Sequence, residues 1–374
     1  MSEYQYYEFQ SLDRPLSAST QAEMESLSSR VHLTANSASF VYNYGDFRGN
    51  PYQVLAKHFD VMLYIANWGT RRLMFRFPTD AIPSAVREAY QYAESMDWSE
   101  SGKYLILDIR QEEEDGFGWV EGEGLLRGIA QVQNDIMRGD YRSLYLAWLM
   151  VAVQELYVLE DDEDLTEPPV PPGLHNLSPT LRNFADFFEI DMDLVSAAAK
   201  DSERRSQPGT QLSGYLEHLP DDEKLDFLKR LLAGETHLDI ALAKRLRELS
   251  GADNMSLPTT DQRRTIRHLM AQSEQVEQER LEKERRQAEA ARKKHLEKIA
   301  RVEDQYWASV PQLIEQKRAN TYDEAVQILK DLHDLAEQRG QLPEFQARIR
   351  DIRETYPTLR GLHSRLDNAG LFQR

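Results

Sequence analysis

The chain has no cysteine among its 374 residues. That absence excludes disulfides, thiolate-bound zinc, iron–sulfur clusters and cysteine nucleophiles. Long apolar runs are scarce. Leu144 to Val153 is unbroken for ten residues, about half of the roughly 20 a membrane-spanning helix needs, and reads as a buried core helix. Met1 to Gln10 has neither a basic n-region nor an apolar h-region, so no signal peptide is expected and a cytoplasmic location is. No HExxH, no GxSxG and no DxDxDG spacing occurs, which leaves zinc-hydrolase, serine-hydrolase and calcium-loop readings without an anchor. No cofactor or metal is implied.

Positive charge is scarce in one half. Met1 to Leu174 carries 28 acidic and 13 basic residues, net -15, and the remainder carries 35 and 32, net -3, which together give the chain's -18. Such a field repels nucleic-acid phosphates and anionic membrane surfaces at long range and favours basic partners.

Strand signals alternate with helices in the first 110 residues, at Tyr4 to Gln10, Ser39 to Tyr42, Arg72 to Phe77 and Tyr104 to Ile109. Arg72 to Phe77 alternates as a half-exposed strand does, with Arg72, Met74 and Arg76 on its open face. Tyr104 to Ile109 is apolar on both faces and reads as central. Asn50 with Pro51 starts a helix along which Leu55, Phe59, Met62 and Ala66 recur at helical spacing. Further helices follow Pro83 and run through Leu125, Ile129, Val132 and Ile136.

The five acids Glu160 to Asp164, followed by Pro168, Pro169, Pro171 and Pro172, read as an exposed linker. Helices come next, one opening at Pro220 with Asp221, Asp222 and Glu223, another between Thr236 as N-cap and Gly251 as stop. Thr259 or Thr260 opens a run free of Gly and Pro as far as Val310, a long helix whose middle is charged rather than apolar. Thr321 with Glu324 forms a capping-box pair, Gly340 ends that helix and Pro343 opens another.

The expected fold class is α+β: an N-terminal mixed α/β domain with a small sheet, then an all-α half with a long charged helix and a C-terminal helical hairpin. The expected boundaries are 1–159 for the acidic α+β domain, 160–174 for the linker, 175–258 for a helical domain, 259–318 for the long helix and 319–374 for the hairpin. The strings YQYYEFQ with RPL, FVYNYGDFRG and ANWGTRRL resemble an uncharacterised bacterial protein family, a resemblance that implies no activity and no site residues.

Candidate chemistry is sparse. Gly122, Gly124 and Gly128 imitate a phosphate-binding glycine loop, but a dozen residues separate them from Ile109 and Glu121 and Glu123 would repel phosphate. Glu112 to Asp115 reads as a solvated acidic loop rather than a cation site. His58 and His333 read as structural residues of amphipathic helices. Two binding faces stand out. Gln262 to Arg301 carries twelve Lys or Arg against seven Glu, with Arg263, Arg264, Arg267, Arg292, Lys293 and Lys294 as a face for an acidic protein surface or nucleic acid. Tyr44, Tyr64, Trp68, Arg71 and Arg72 form a mixed patch able to stack bases or a peptide.

The leading expectation is a non-enzymatic interaction or scaffold component of a bacterial multi-protein system, with other proteins as partners, through acidic surfaces or self-association of the long helix, and no membrane. A nucleic-acid-associated factor is the alternative, and an enzyme without a local motif the third.

Overall fold

The computed structural model describes residues 4–113, 120–160, 163–204, 213–235, 237–250 and 263–372. It divides into two compact units, Met1–Glu277 and Gln278–Arg374. The architecture is α+β, with an antiparallel sheet in the first unit and helices alone in the second.

The sheet comprises β1 (Gln5–Gln10), β2 (His32–Leu33), β3 (Ser37–Tyr42), β4 (Val61–Ala66), β5 (Thr70–Pro78), β6 (Met96–Ser101) and β7 (Tyr104–Glu112), in the order β2-β3-β1-β4-β5-β7-β6. Side chains alternate across it. Leu63, Ile65, Leu73, Phe75, Leu105 and Leu107 enter one core. Tyr7, Phe9, Phe40, Met62, Met74 and Ile106 enter another on the opposite face.

The second face is covered by α1 (Ala18–Leu27) and α2 (Pro51–His58), which contribute Met24, Val54 and Leu55. Asn50 caps α2 as expected, its side chain accepting from the Gln53 amide, and Pro51 occupies the first turn. Two expectations fail here. The helix ends at His58, and Met62 and Ala66 belong to β4, whose neighbours are β1 and β5. A segment buried on both faces satisfies periods of 3.6 and 2 equally, so spacing alone misassigns it. Nor is β5 half-exposed: Met74 and Arg76 are buried beneath α2. Arg76 tolerates this because its guanidinium donates to Asp60 Oδ1 at 2.5 Å and to the Ala56 carbonyl at 3.0 Å, and lies 4.3 Å from the centre of the Tyr104 ring.

The first face is covered by α3 (Ser84–Tyr90), α4 (Leu125–Ile129), α5 (Val132–Met137), α6 (Arg142–Leu156), α7 (Pro179–Phe187) and α8 (Met192–Ala198). The apolar run Leu144 to Val153 lies in α6, where every residue from Arg142 to Ala152 is buried. Among the described residues no helix is long and apolar enough to cross a membrane.

In the acid–proline segment the described acids Glu160, Glu163 and Asp164 are exposed as expected, but the proline half is not an exposed linker. Glu167, Pro168, Pro169, Val170 and Pro171 are all buried. Prolines bring no amide donors into the core, so only their carbonyls need partners. Tyr90 Oη donates to the Pro169 carbonyl at 2.6 Å and Ser202 Oγ to that of Pro171 at 2.8 Å. Glu167 accepts from Arg264 at 2.7 and 2.8 Å and from the Tyr145 hydroxyl, while its amide donates to the Arg264 carbonyl. The acids outside this clamp are tied as well, since Arg267 donates to the carbonyls of Glu160 and Glu163. The segment therefore belongs to the first unit, and the compact units meet at Glu277 and Gln278 rather than at 160–174.

Two further helices complete that unit, α9 (Asp221–Leu232) and α10 (Leu238–Ser250). The expected cap Thr236, the stop Gly251 and the expected helix start at Thr259 or Thr260 lie outside the described residues.

The long helix, α11 (Ile266–Ala300), carries the unit boundary within it. It does not continue to residue 318. Val302 leaves helical geometry at φ -128°, and α12 (Glu303–Glu315) restarts with Glu303 and Asp304 in its first turn. After α12 come α13 (Ala319–Arg339), α14 (Leu342–Thr355) and α15 (Arg360–Asn368), so the expected hairpin is three helices. Gly340 stops α13 at φ 69°, and Pro343 sits in the first turn of α14, both as expected. Thr321 is not a cap: α13 begins at Ala319, and the Thr321 hydroxyl donates to the Arg318 carbonyl. Leu296 and Ile299 share a core with Val310, Ile314, Leu329, Phe345 and Leu362.

The Glu167–Arg264 pair generates a stability prediction. Arg264→Ala leaves a buried carboxylate without its cation and should cost about 3–5 kcal/mol, read by chemical denaturation of the full chain. A loss below about 1 kcal/mol, the value of a surface pair, would show that the clamp is solvated.

Candidate interaction surface

The aromatic–arginine patch does not assemble. Tyr64 and Arg72 sit opposite one another on neighbouring strands, on the second face of the sheet. Arg71, one residue away, points to the first face by strand alternation. It is buried there, donating to the Phe187 carbonyl at 2.5 Å and to Glu189. Arg72 is closed by a two-pronged pair with Asp108 at 2.7 and 2.5 Å. Tyr64 stacks on Tyr7 with ring centres 4.4 Å apart, and both hydroxyls donate to Gln5 Oε1. Burial pushes both phenols above their ordinary range. Only Tyr44, 82 % exposed in a bend, and Trp68, 45 % exposed in a turn, remain open.

The basic face is likewise divided. Arg264 and Arg267 hold the acid–proline segment, and Arg292 donates to Asp331 and Asp334 of α13. Arg263, Lys293 and Lys294 are exposed. Sequence composition counts all six as surface charge, whereas Arg264 and Arg292 pair with carboxylates and Arg267 is held by backbone carbonyls within the chain.

The glycines that imitate a phosphate loop have packing roles. A Cβ on Gly122 would fall 2.2 Å from the Tyr6 ring, and one on Gly128 would meet Asn183 at 2.5 Å. Gly124 takes a left-handed turn at φ 82° before α4, which has only five residues. A cleft of about 310 Å³ opens nearby between Ile65, Leu125, Ile129 and Phe187, but its cation is the Arg71 already bonded to Phe187 and Glu189. In the acidic loop Glu112 and Glu113 are exposed and Glu114 and Asp115 lie outside the described residues; Asp108 is taken by Arg72.

Two titratable clusters escape the sequence reading. His333, Asp334 and Glu337 place ligand atoms within 4.8 Å of one another on α13, but Arg292 already donates to Asp334 and supplies its counter-charge. Glu8 accepts from the Tyr6 hydroxyl at 3.0 Å, and burial, with a further push from Glu123, holds its carboxyl above the usual range. A raised carboxyl suits a general acid, yet its hydrogen-bond partner is a phenol that burial also raises, and no activated nucleophile adjoins the pair among the described residues.

Helix α9 opens after Pro220 as expected, but its leucine face is the feature that the sequence reading missed. Its order, DDEKLDFLKRLL, has the three-and-four spacing of a core-facing stripe. In the structure no α9 residue is buried, and Leu225, Leu228, Leu231 and Leu232 are 53, 56, 62 and 89 % exposed. The other side of the helix is held, with Glu223 accepting from Arg245 of α10 at 2.7 and 2.8 Å. Single exposed leucines need no explanation, but four on one helical face form a contiguous patch of the kind that marks interaction sites. The sequence signal was present; only burial shows that the stripe faces outward.

Comparison with protein-family models, with curated proteins and with solved structures finds no match. Function therefore rests on the geometry.

Glu8 supplies a pH-dependent test. Because its folded pKa lies above the unfolded value, the folded state binds the proton more tightly, and stability is lost as pH rises from the ordinary carboxylate range through the folded value. Glu8→Gln keeps the acceptor for Tyr6 and removes the charge. The variant should melt higher than wild type at about pH 7 and equally at about pH 3.5, below the ordinary range. A wild type that melts higher at neutral pH would contradict the assignment.

Proposed function

We propose that this chain is a non-enzymatic protein-interaction component of a cytoplasmic multi-protein system, with α9 as its docking element. The observation that supports this reading is the exposed leucine face of Leu225, Leu228, Leu231 and Leu232 on a helix whose opposite side is fixed to α10. Keeping apolar surface in water is unfavourable by roughly 25 cal/mol per Å², so a fold that maintains such a stripe gains when a partner covers it. An amphipathic helix laid against a second apolar surface is a recurrent recognition mode.

The nucleic-acid reading is weaker. Phosphates would have to displace carboxylates and carbonyls from Arg264, Arg267 and Arg292, leaving Arg263, Lys293 and Lys294 as the exposed cations of the six. Few neutralised phosphates give weak, salt-sensitive binding.

A photo-crosslinking amino acid at Leu228, with the exposed Gln287 of α11 as control, tests the assignment in living cells. Irradiation should yield protein adducts from position 228 and none from 287. Adducts that shift on nuclease treatment, or equal yields at both positions, would contradict it.

A further inference from the structure

The charges around the leucine stripe identify what covers it. The first half of α9 holds Asp221, Asp222, Glu223 and Asp226 against Lys224, and the second half holds Lys229 and Arg230. Most of these are satisfied within the chain. Lys224 pairs with Asp221 at 3.0 Å, Arg245 with Glu223 at 2.7 Å, and Arg230 with Glu235 at 2.6 Å and Asp226 at 3.6 Å. Asp222 and Lys229 are exposed, and their side chains make no ion pair or hydrogen bond among the described residues. They stand seven residues apart, on the same flank of the stripe.

That placement is informative about direction. With Leu225 and Leu228 as the core positions of a two-helix seam, Asp222 and Lys229 occupy the same flanking heptad position. In a parallel pair this flank would face the other one, which offers Lys224 and Leu231. In an antiparallel pair the flank faces its own copy reversed, which sets Asp222 of each helix against Lys229 of the other. Leu225 of one copy then meets Leu228 of the other. The charges of this flank complement one another only in the antiparallel pair, which is the symmetry of an isologous two-fold contact.

We propose that the partner of α9 is a second copy of this chain, docked antiparallel through Leu225 and Leu228, with Asp222 and Lys229 fixing the direction. The proposal rests on the interaction reading above and specifies its occupant. The seam is short, since twelve residues of helix span roughly 18 Å, so the dimer is a weak one with a Kd on the order of micromolar.

Sedimentation equilibrium of the full chain, from about 1 to 200 µM, bracketing that affinity, tests it. Wild type should be a monomer–dimer mixture. Leu228→Asp, at a position already 56 % exposed, should be monomeric throughout with an unchanged circular dichroism spectrum. Lys229→Glu and Asp222→Lys should each weaken the dimer about tenfold by setting like charges opposite one another twice. The double variant D222K/K229E should return to within about threefold of wild type, because the reversed pairs attract again. A monomeric wild type at every concentration, a dimer indifferent to Leu228→Asp, or a double variant weaker than either single one would overturn the proposal. The two readings fail separately. A monomeric wild type whose position 228 still crosslinks to a different protein defeats self-association alone, whereas no crosslink and no dimer defeats both.

Discussion

A sheet that is apolar on both faces must be covered twice, and most of the first unit follows from meeting that demand. Phe9, Phe40, Met62 and Met74 require α1 and α2 on one side, while Leu63, Phe75, Leu107 and their neighbours require α3 to α8 on the other. Charges caught between these layers persist because each is paired where it is buried, as Arg76 is with Asp60 and Glu167 with Arg264. Even the proline-rich stretch is drawn in, since its carbonyls find donors and it has few amides to satisfy. Helices recruited for cover present their apolar faces inward. With both faces closed, α9 has no sheet left to cover, and its leucines point outward.

Much of this was legible in residue order wherever one local rule dominates. Asn50 with Pro51, Gly340 and Pro343 mark helix ends because capping, left-handed geometry and a fixed φ act within one turn. The run in α6 announces a buried helix because it is apolar on every side. Legibility fails where tertiary context decides. Val61 to Ala66 is apolar throughout, so its period is ambiguous, and only pairing with β1 and β5 makes it a strand. The linker reading failed because composition records that prolines stiffen a chain but not what Tyr90, Ser202 and Arg264 offer them.

The candidate sites divide along the same line. Adjacent Arg71 and Arg72 looked like one patch, yet strand alternation sends them to opposite faces and each meets its own carboxylate, Glu189 and Asp108. Counting charges cannot tell a free arginine from one that clamps a loop, as Arg264 and Arg267 do. The leucine stripe was readable as amphipathic, but a stripe looks the same whether it faces a core or water. Only the fold, by using other helices for the core, shows which.

Antiparallel self-pairing of α9 is open to direct measurement, because the chain has no cysteine of its own. The variants D222C and K229C each carry a single thiol. Mixed at a concentration that populates the dimer and treated with a short bis-maleimide, they should crosslink one to the other, with a clearly lower yield of covalent dimer from each variant alone. Crosslinking of each variant to itself, with none gained on mixing, would show a parallel pair or a different surface and would contradict the account.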